Sequence, residues 1–245
     1  MANNFANTIN STIGASNSGA TNTFTITNPS NTASSAARET ITVGGATSDD
    51  PSLNFNVSGV TNWEMGCDNS DSDAFAISAS AALGTTNVMR ISTAGEINLP
   101  LQPAFLAYLG TTDSNCTGDN TNFVVGSGNA LTEVFDQNGD FVTTGTFTSP
   151  VLGRYFLQGS WFITGGTAIV GNNFLINTSN RNYRQDSAGQ VANKQTQTQS
   201  YSVLADMDAA DTATISVIAS DTGGKVDDLF GFSTPFTWFS GYLAC

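Results

Sequence analysis

Few side chains in this sequence are of a kind that does chemistry. There is no histidine, which removes the commonest general base, the commonest zinc ligand and every Ser-His or Cys-His nucleophile pair. Three cysteines, Cys67, Cys116 and Cys245, stand far apart without a C-x-x-C, and read as free thiols of a chain made in a reducing compartment. Asp68, Asp71 and Asp73 share one polar run, where carboxylates could chelate calcium. An EF-hand loop needs different spacing and a Glu at its twelfth position, where this sequence has Ala79, so the run reads as a loop of Asx turns. Asp136-Gln137-Asn138-Gly139-Asp140 reads as a turn, with Asn138-Gly139 suited to a type I′ hairpin. Two carboxylates suffice to cleave a glycoside, yet no pair stands out among twenty Asp and Glu. The sequence therefore predicts no catalytic residue, no metal and no cofactor, with a polysaccharide-degrading enzyme as the competing class.

One basic cluster remains. Arg181, Tyr183 and Arg184 place two guanidinium groups beside an aromatic ring. That combination could contact surface glycans by hydrogen bonding and stacking. It could equally be an intersubunit ion pair or an ordinary strand end.

The bulk charge narrows the partners. Seven Lys and Arg against twenty Asp and Glu give a net charge of −13, which repels a phosphate backbone, so nucleic acid is excluded. No apolar run approaches the ~20 residues of a membrane helix, so membrane insertion is not expected. The first residues, Met-Ala-Asn-Asn-Phe, carry neither a basic n-region nor an apolar h-region. The chain is thus expected to be made in the cytoplasm without a signal peptide and released as part of a virion.

These residues must be held by strands. Asn, Thr, Ser and 24 Gly dominate the composition, which favours short strands joined by tight turns. Thr23 to Thr27 alternates, with Phe24 and Ile26 on one face; Ser34 to Glu39 suits a helical turn, and Ile41 to Val43 a short strand. Leu53, Phe55 and Val57 alternate with polar residues, as do Trp63, Met65 and Cys67, then Phe75 and Ile77. Met89 to Ile91 and Ile97 to Leu99 flank Ala94-Gly95 as a hairpin would. Pro100 and Pro103 read as a stiff, extended linker. About eight to ten further strands follow, a jelly-roll or Greek-key count. The predicted organisation is a docking segment over 1–40, a β-rich shaft or assembly module over 41–100 and a head over 101–245.

In the second half, Pro103-Ala104-Phe105-Leu106-Ala107-Tyr108-Leu109 is similar to the opening strand of the C1q/TNF-like globular head family. Phe141 to Tyr155, with Gly145, Phe147, Pro150, Gly153 and Tyr155, is similar to its G-x-F-x-x-P-x-x-G-x-Y core. Trp238-Phe239-Ser240-Gly241-Tyr242-Leu243 is similar to its last strand. On this reading Phe147 and Tyr155 lie on neighbouring strands, Pro150 and Gly153 make the turn between them, and Gly153 supplies a positive φ. No collagen repeat precedes the head, so the fold and threefold association are what the resemblance implies. The first half, through Asp49-Asp50-Pro51, Phe55 to Gly59, Trp63 and Asp68 to Phe75, is similar to fibre or appendage proteins of tailed phages.

The resulting expectation is an all-β chain: an N-terminal antiparallel β-sandwich-like module, then a C1q/TNF-like jelly-roll, trimeric. The resemblances imply a virion fibre subunit whose partners are two further copies of itself, other virion proteins through the N-terminal half, and a host surface glycan. A cellular surface filament is a third class. On the last strand Phe236, Trp238 and Ser240 point one way and Phe239 the other.

Overall fold

Alternation of apolar and polar residues becomes two separate β systems in the computed structural model, which describes residues 21–187, 195–221 and 223–245. No helix occurs among the described residues.

The first system is a five-stranded antiparallel meander of β1 (Ser52–Val57), β2 (Thr61–Asp68), β3 (Ala74–Ser78), β4 (Asn87–Ile91) and β5 (Ile97–Asn98). The expected Met89/Ile97 hairpin forms, with Ile91 opposite Ile97 and Arg90 opposite Asn98. The acidic run after β2 is the expected Asx loop. Asp68 Oδ1 accepts from the Ser70 and Asp71 N–H groups, both at 3.1 Å, and from the Ser70 hydroxyl at 2.7 Å.

Three expectations for this half are corrected. The module is one sheet, not a sandwich, because alternation records that one face is apolar without recording what covers it. Residues 23–27 and 41–43 form no strand, and Phe24 and Ile26 are exposed, since an alternating segment without a hydrogen-bonding neighbour gains nothing by extending. The turn expected near Ser34 lies earlier, closed by the Ser35 N–H on the Thr32 carbonyl at 3.2 Å, and is not helical. Of the segment 1–40, residues 1–20 lie outside the described residues.

Nor is Leu99 to Pro103 an extended linker. It is a turn closed by Gln102 N–H on Leu99 O at 3.0 Å. The head grips it: Gln137 Nε2 donates to Leu99 O and Gln102 O, each at 2.8 Å, and Asn138 Nδ2 to Leu101 O at 2.7 Å.

The second system comprises β6 (Ala104–Leu109), β7 (Asp113–Thr117), β8 (Asp119–Val124), β9 (Leu131–Asp136), β10 (Phe141–Val142), β11 (Thr146–Thr148), β12 (Gly153–Thr164), β13 (Gly171–Thr178), β14 (Asn182–Asp186), β15 (Gln197–Met207), β16 (Thr212–Ser220), β17 (Asp227–Leu229) and β18 (Trp238–Leu243). One sheet runs β15-β12-β18-β6-β9, with β17 and β7 beside the far end of β12, and the other runs β10-β11-β16-β13-β14. Along the chain, β11, β13, β14 and β16 fall in one sheet while β6, β12, β15 and β18 fall in the other. That eight-strand alternation between facing sheets is a jelly-roll.

Aromatic rings fill the space between the sheets. Phe105 stacks on Phe141 and Phe147 at 4.7 and 4.8 Å and meets Phe239 edge-on at 4.9 Å. Phe147 and Tyr155 rings stand 5.4 Å apart. Their strands, β11 and β12, are consecutive but lie in opposite sheets, so the pair packs across the core and not along one sheet. The Asn138-Gly139 expectation fails for the same reason: β9 and β10 join different sheets, and only Gly139 has a positive φ, so no type I′ hairpin forms.

Candidate interaction surface

The glycines of the family-like blocks act by letting backbone and side chains approach. A Cβ on Gly145 would stand 2.0 Å from Val125 O, at φ +91°. Gly153 has no positive φ, contrary to expectation; its Cβ would strike Leu243 Cδ1 at 2.5 Å and Cys245 O at 3.0 Å. Gly241 similarly makes room for Leu157 and Phe105. Pro150 enters the turn before β12, where the Tyr155 hydroxyl donates to Val151 O at 2.8 Å.

Phe105, Phe147, Tyr155 and Phe239 point into the core. The alternate positions of the same strands must then face outward. Across the sheet these outward positions line up in rows. Leu204, Phe156, Tyr242 and Ala104 form one; Ser202, Gln158, Ser240, Leu106 and Phe135 the next; Ser200, Ser160, Trp238, Tyr108 and Thr132 a third. Phe162 follows on β12, ringed by Phe230 and Phe236 at 5.6 Å each. None of these residues is charged, in a chain of net charge −13.

Several remain open to solvent: Leu204 is 55% exposed, Phe135 48% and Tyr242 47%. Phe135, Leu106, Trp238, Pro235 and Tyr242 line a groove of about 430 Å³. Lone exposed apolar side chains are ordinary, but a contiguous apolar sheet face marks an interaction site. The outward placement of Trp238 and Ser240 against an inward Phe239 is as the alternation predicts. Sequence reasoning missed Phe156, Phe162 and Leu204. The signal was present in β12, where aromatic residues occupy both parities between Arg154 and Thr164.

Arg181, Tyr183 and Arg184 sit at the edge of the other sheet, Tyr183 and Arg184 on strand β14 and not on a loop. Arg181 pairs with Asp206 at 2.6 Å, Tyr183 donates to the same carboxylate at 3.3 Å, and Arg184 pairs with Asp186. These ion pairs lie within one chain. Asp71, from the acidic loop, pairs with Arg90, whose hydrogen bond holds its carboxyl below the usual range.

The most perturbed acid is one the sequence did not single out. Asp227, fully buried on β17, has both carboxylate oxygens without a donor. Burial, and next a hydrogen bond with Asp221, raise its pKa to about 7. Burial works against the Asp221 charge too, but N–H donation from Thr167 and Ala168, at 2.8 and 2.9 Å, keeps its pKa below normal. Two carboxylates this close favour holding one proton between them, and Asp227 is the member pushed to keep it.

A folded-state pKa above the unfolded value gives stability that is complete below about pH 4 and lost as pH rises through about 7. Asp227→Asn keeps the hydrogen bond without the titration. Its melting temperature is expected to exceed wild type by several degrees at pH 8, roughly 1–3 kcal/mol, and by much less at pH 5. An equal offset at both pH values would contradict the shared proton.

The fold and this surface place the chain among jelly-roll heads carrying an apolar outer sheet face. No family model matches the chain, and no curated protein matches it. Among solved structures it is similar to the globular domain of zebrafish complement 1qA protein, at 18% identity, covering 59% of this chain and 98% of that one, with a TM-score of 0.41. It is also similar to murine APRIL at pH 8.0, at 10% identity, covering 58% and 98%, with a TM-score of 0.39.

Proposed function

We propose that this chain is a homotrimeric, non-catalytic fibre or appendage protein of a phage-type virion, presenting its jelly-roll head for attachment to a host or particle surface. The observation that carries the reading is the uncharged apolar face of the β15-β12-β18-β6-β9 sheet. Like-charged chains approach one another most easily where charge is absent, and this face offers that across its five strands up to Arg154 and Asp206 at one end of β12 and β15. The C1q/TNF-like sequence blocks support three copies, and the phage-appendage blocks of the first half support a virion. Three heads acting together strengthen weak single contacts with a surface glycan.

Light scattering on the full chain is the first test, with three times the 25.5 kDa chain mass expected. Immunogold labelling of purified particles should then decorate an appendage, and free protein should compete with particle adsorption to host cells. A single-chain mass, or hydrolysis of host polysaccharide by the pure protein, would overturn the reading.

A further inference from the structure

The register of the N-terminal meander sorts most of its side chains, with a bulge between Ile77 and Ser78 that leaves Val88 unpaired. On one face Leu53, Met65, Ile77 and Met89 lie in one row, Cys67, Phe75, Ile91 and Ile97 in another, and Phe55 stands opposite Trp63. Every one is uncharged and all but Cys67 are large and apolar. The opposite face carries Glu64, Asp68 and Arg90 among Ser, Asn, Gly and Ala. The loop 79–86 closes over part of that polar face, with Leu83 buried and Gly84 against Asp68. Among the described residues, Glu39 and Ile41 stand beside Leu53, Met65, Cys67 and Phe75 at one edge of the apolar face, and the rest of it is open. Phe55 is 56% exposed, Ile97 63% and Trp63 41%.

We infer that this apolar face is covered by the same face of two further copies of this chain, the three sheets forming a closed prism with their apolar residues on a common axis. The inference rests on the threefold head proposed above. The turn at Leu99 to Gln102 is gripped by Gln137 and Asn138 of the head, so three heads around an axis bring three sheets around it too.

The dimensions close. Five strands at ~4.8 Å spacing make a wall about 20 Å wide, and four strands of five to eight residues, with the two-residue β5 at one edge, make it about as long. Three such walls stand about 6 Å from their axis, close to half the ~10 Å that separates packed sheets. Four walls would stand about 10 Å away and leave a void, which close packing disfavours. The absence of charge suits a face that meets its own copies.

Cys67 reports on this arrangement, because it lies on the apolar face and is exposed in the single chain. In native full-length protein, alkylation of Cys67 by iodoacetamide, read by mass spectrometry, should run at least about tenfold slower than in the unfolded chain. Phe55→Glu puts a carboxylate on the axis and should restore fast alkylation while the head keeps its threefold mass. Asn54→Glu, on the opposite face, should leave Cys67 protected. A threefold mass with Cys67 alkylated at the unfolded rate, or protection that survives Phe55→Glu, overturns the prism and leaves the head trimer standing. A single-chain mass overturns both.

Discussion

Phe105→Ala is expected to cost about 3–5 kcal/mol and to abolish a cooperative fold in the head at moderate temperature. Phe105 is 1% exposed and touches three other rings within 5 Å, two stacked and one edge-on. Removing it forfeits the transfer energy of the ring and each aromatic pairing. The site cannot collapse easily, because the neighbours come from β10, β11 and β18 in both sheets. Gly241 also packs against Phe105, so its strand would lose a backstop. Urea denaturation followed by near-ultraviolet circular dichroism measures the loss. Phe105→Leu should recover more than half of it, and a cost under about 1 kcal/mol for the alanine would contradict this core.

If the outward face of β18 makes the proposed threefold contact, Tyr242→Asp should yield single chains without unfolding them. Tyr242 lies outward on β18, 47% exposed, its ring 5.5 Å from Phe156. In a lone chain the substitution stays in water, where surface changes are worth within about 0.5 kcal/mol. In the assembly each copy would bury an unpaired carboxylate, at about 3–5 kcal/mol apiece. Sedimentation across a hundredfold concentration range should find one chain where wild type holds three. Val142→Asp is the control, because Val142 is equally exposed but lies on the opposite sheet. Loss of the trimer by both variants, or by neither, would place the interface elsewhere.

How much of this was legible depended on whether the governing partner was local. The Met89/Ile97 hairpin and the Asx loop at Asp68 are local, and their residues predicted them. The head's opening, core and closing blocks could be placed because they pack together, as the Phe105, Phe147, Phe239 and Tyr155 rings do. The failures share one cause. Gly153 is required by Leu243 and Cys245, some ninety residues away, so reading it as a turn glycine assigned the wrong reason. Asn138-Gly139 has the residues of a tight hairpin, but its flanking strands are claimed by different sheets. Phe24 and Ile26 alternate without any strand to pair with. The N-terminal module looked like a sandwich because its apolar face implies a second layer, and the described residues form only one sheet there. The Asp221/Asp227 pair was invisible because Asp221 is held by Thr167 and Ala168, more than fifty residues away in the chain.

Because the outward rows of the β15-β12-β18-β6-β9 sheet lack charge, assembly and encounter should answer differently to ionic strength. Association through that face has no ion pairs to screen, so raising salt from low to physiological levels should leave the trimer intact or tighten it. The exterior is different: every copy brings its −13 to it. Approach to an anionic cell envelope would be slow in dilute medium and faster once counterions shorten the field to about 8 Å. On the proposed function, assembly would be indifferent to salt while approach to the surface would quicken with it.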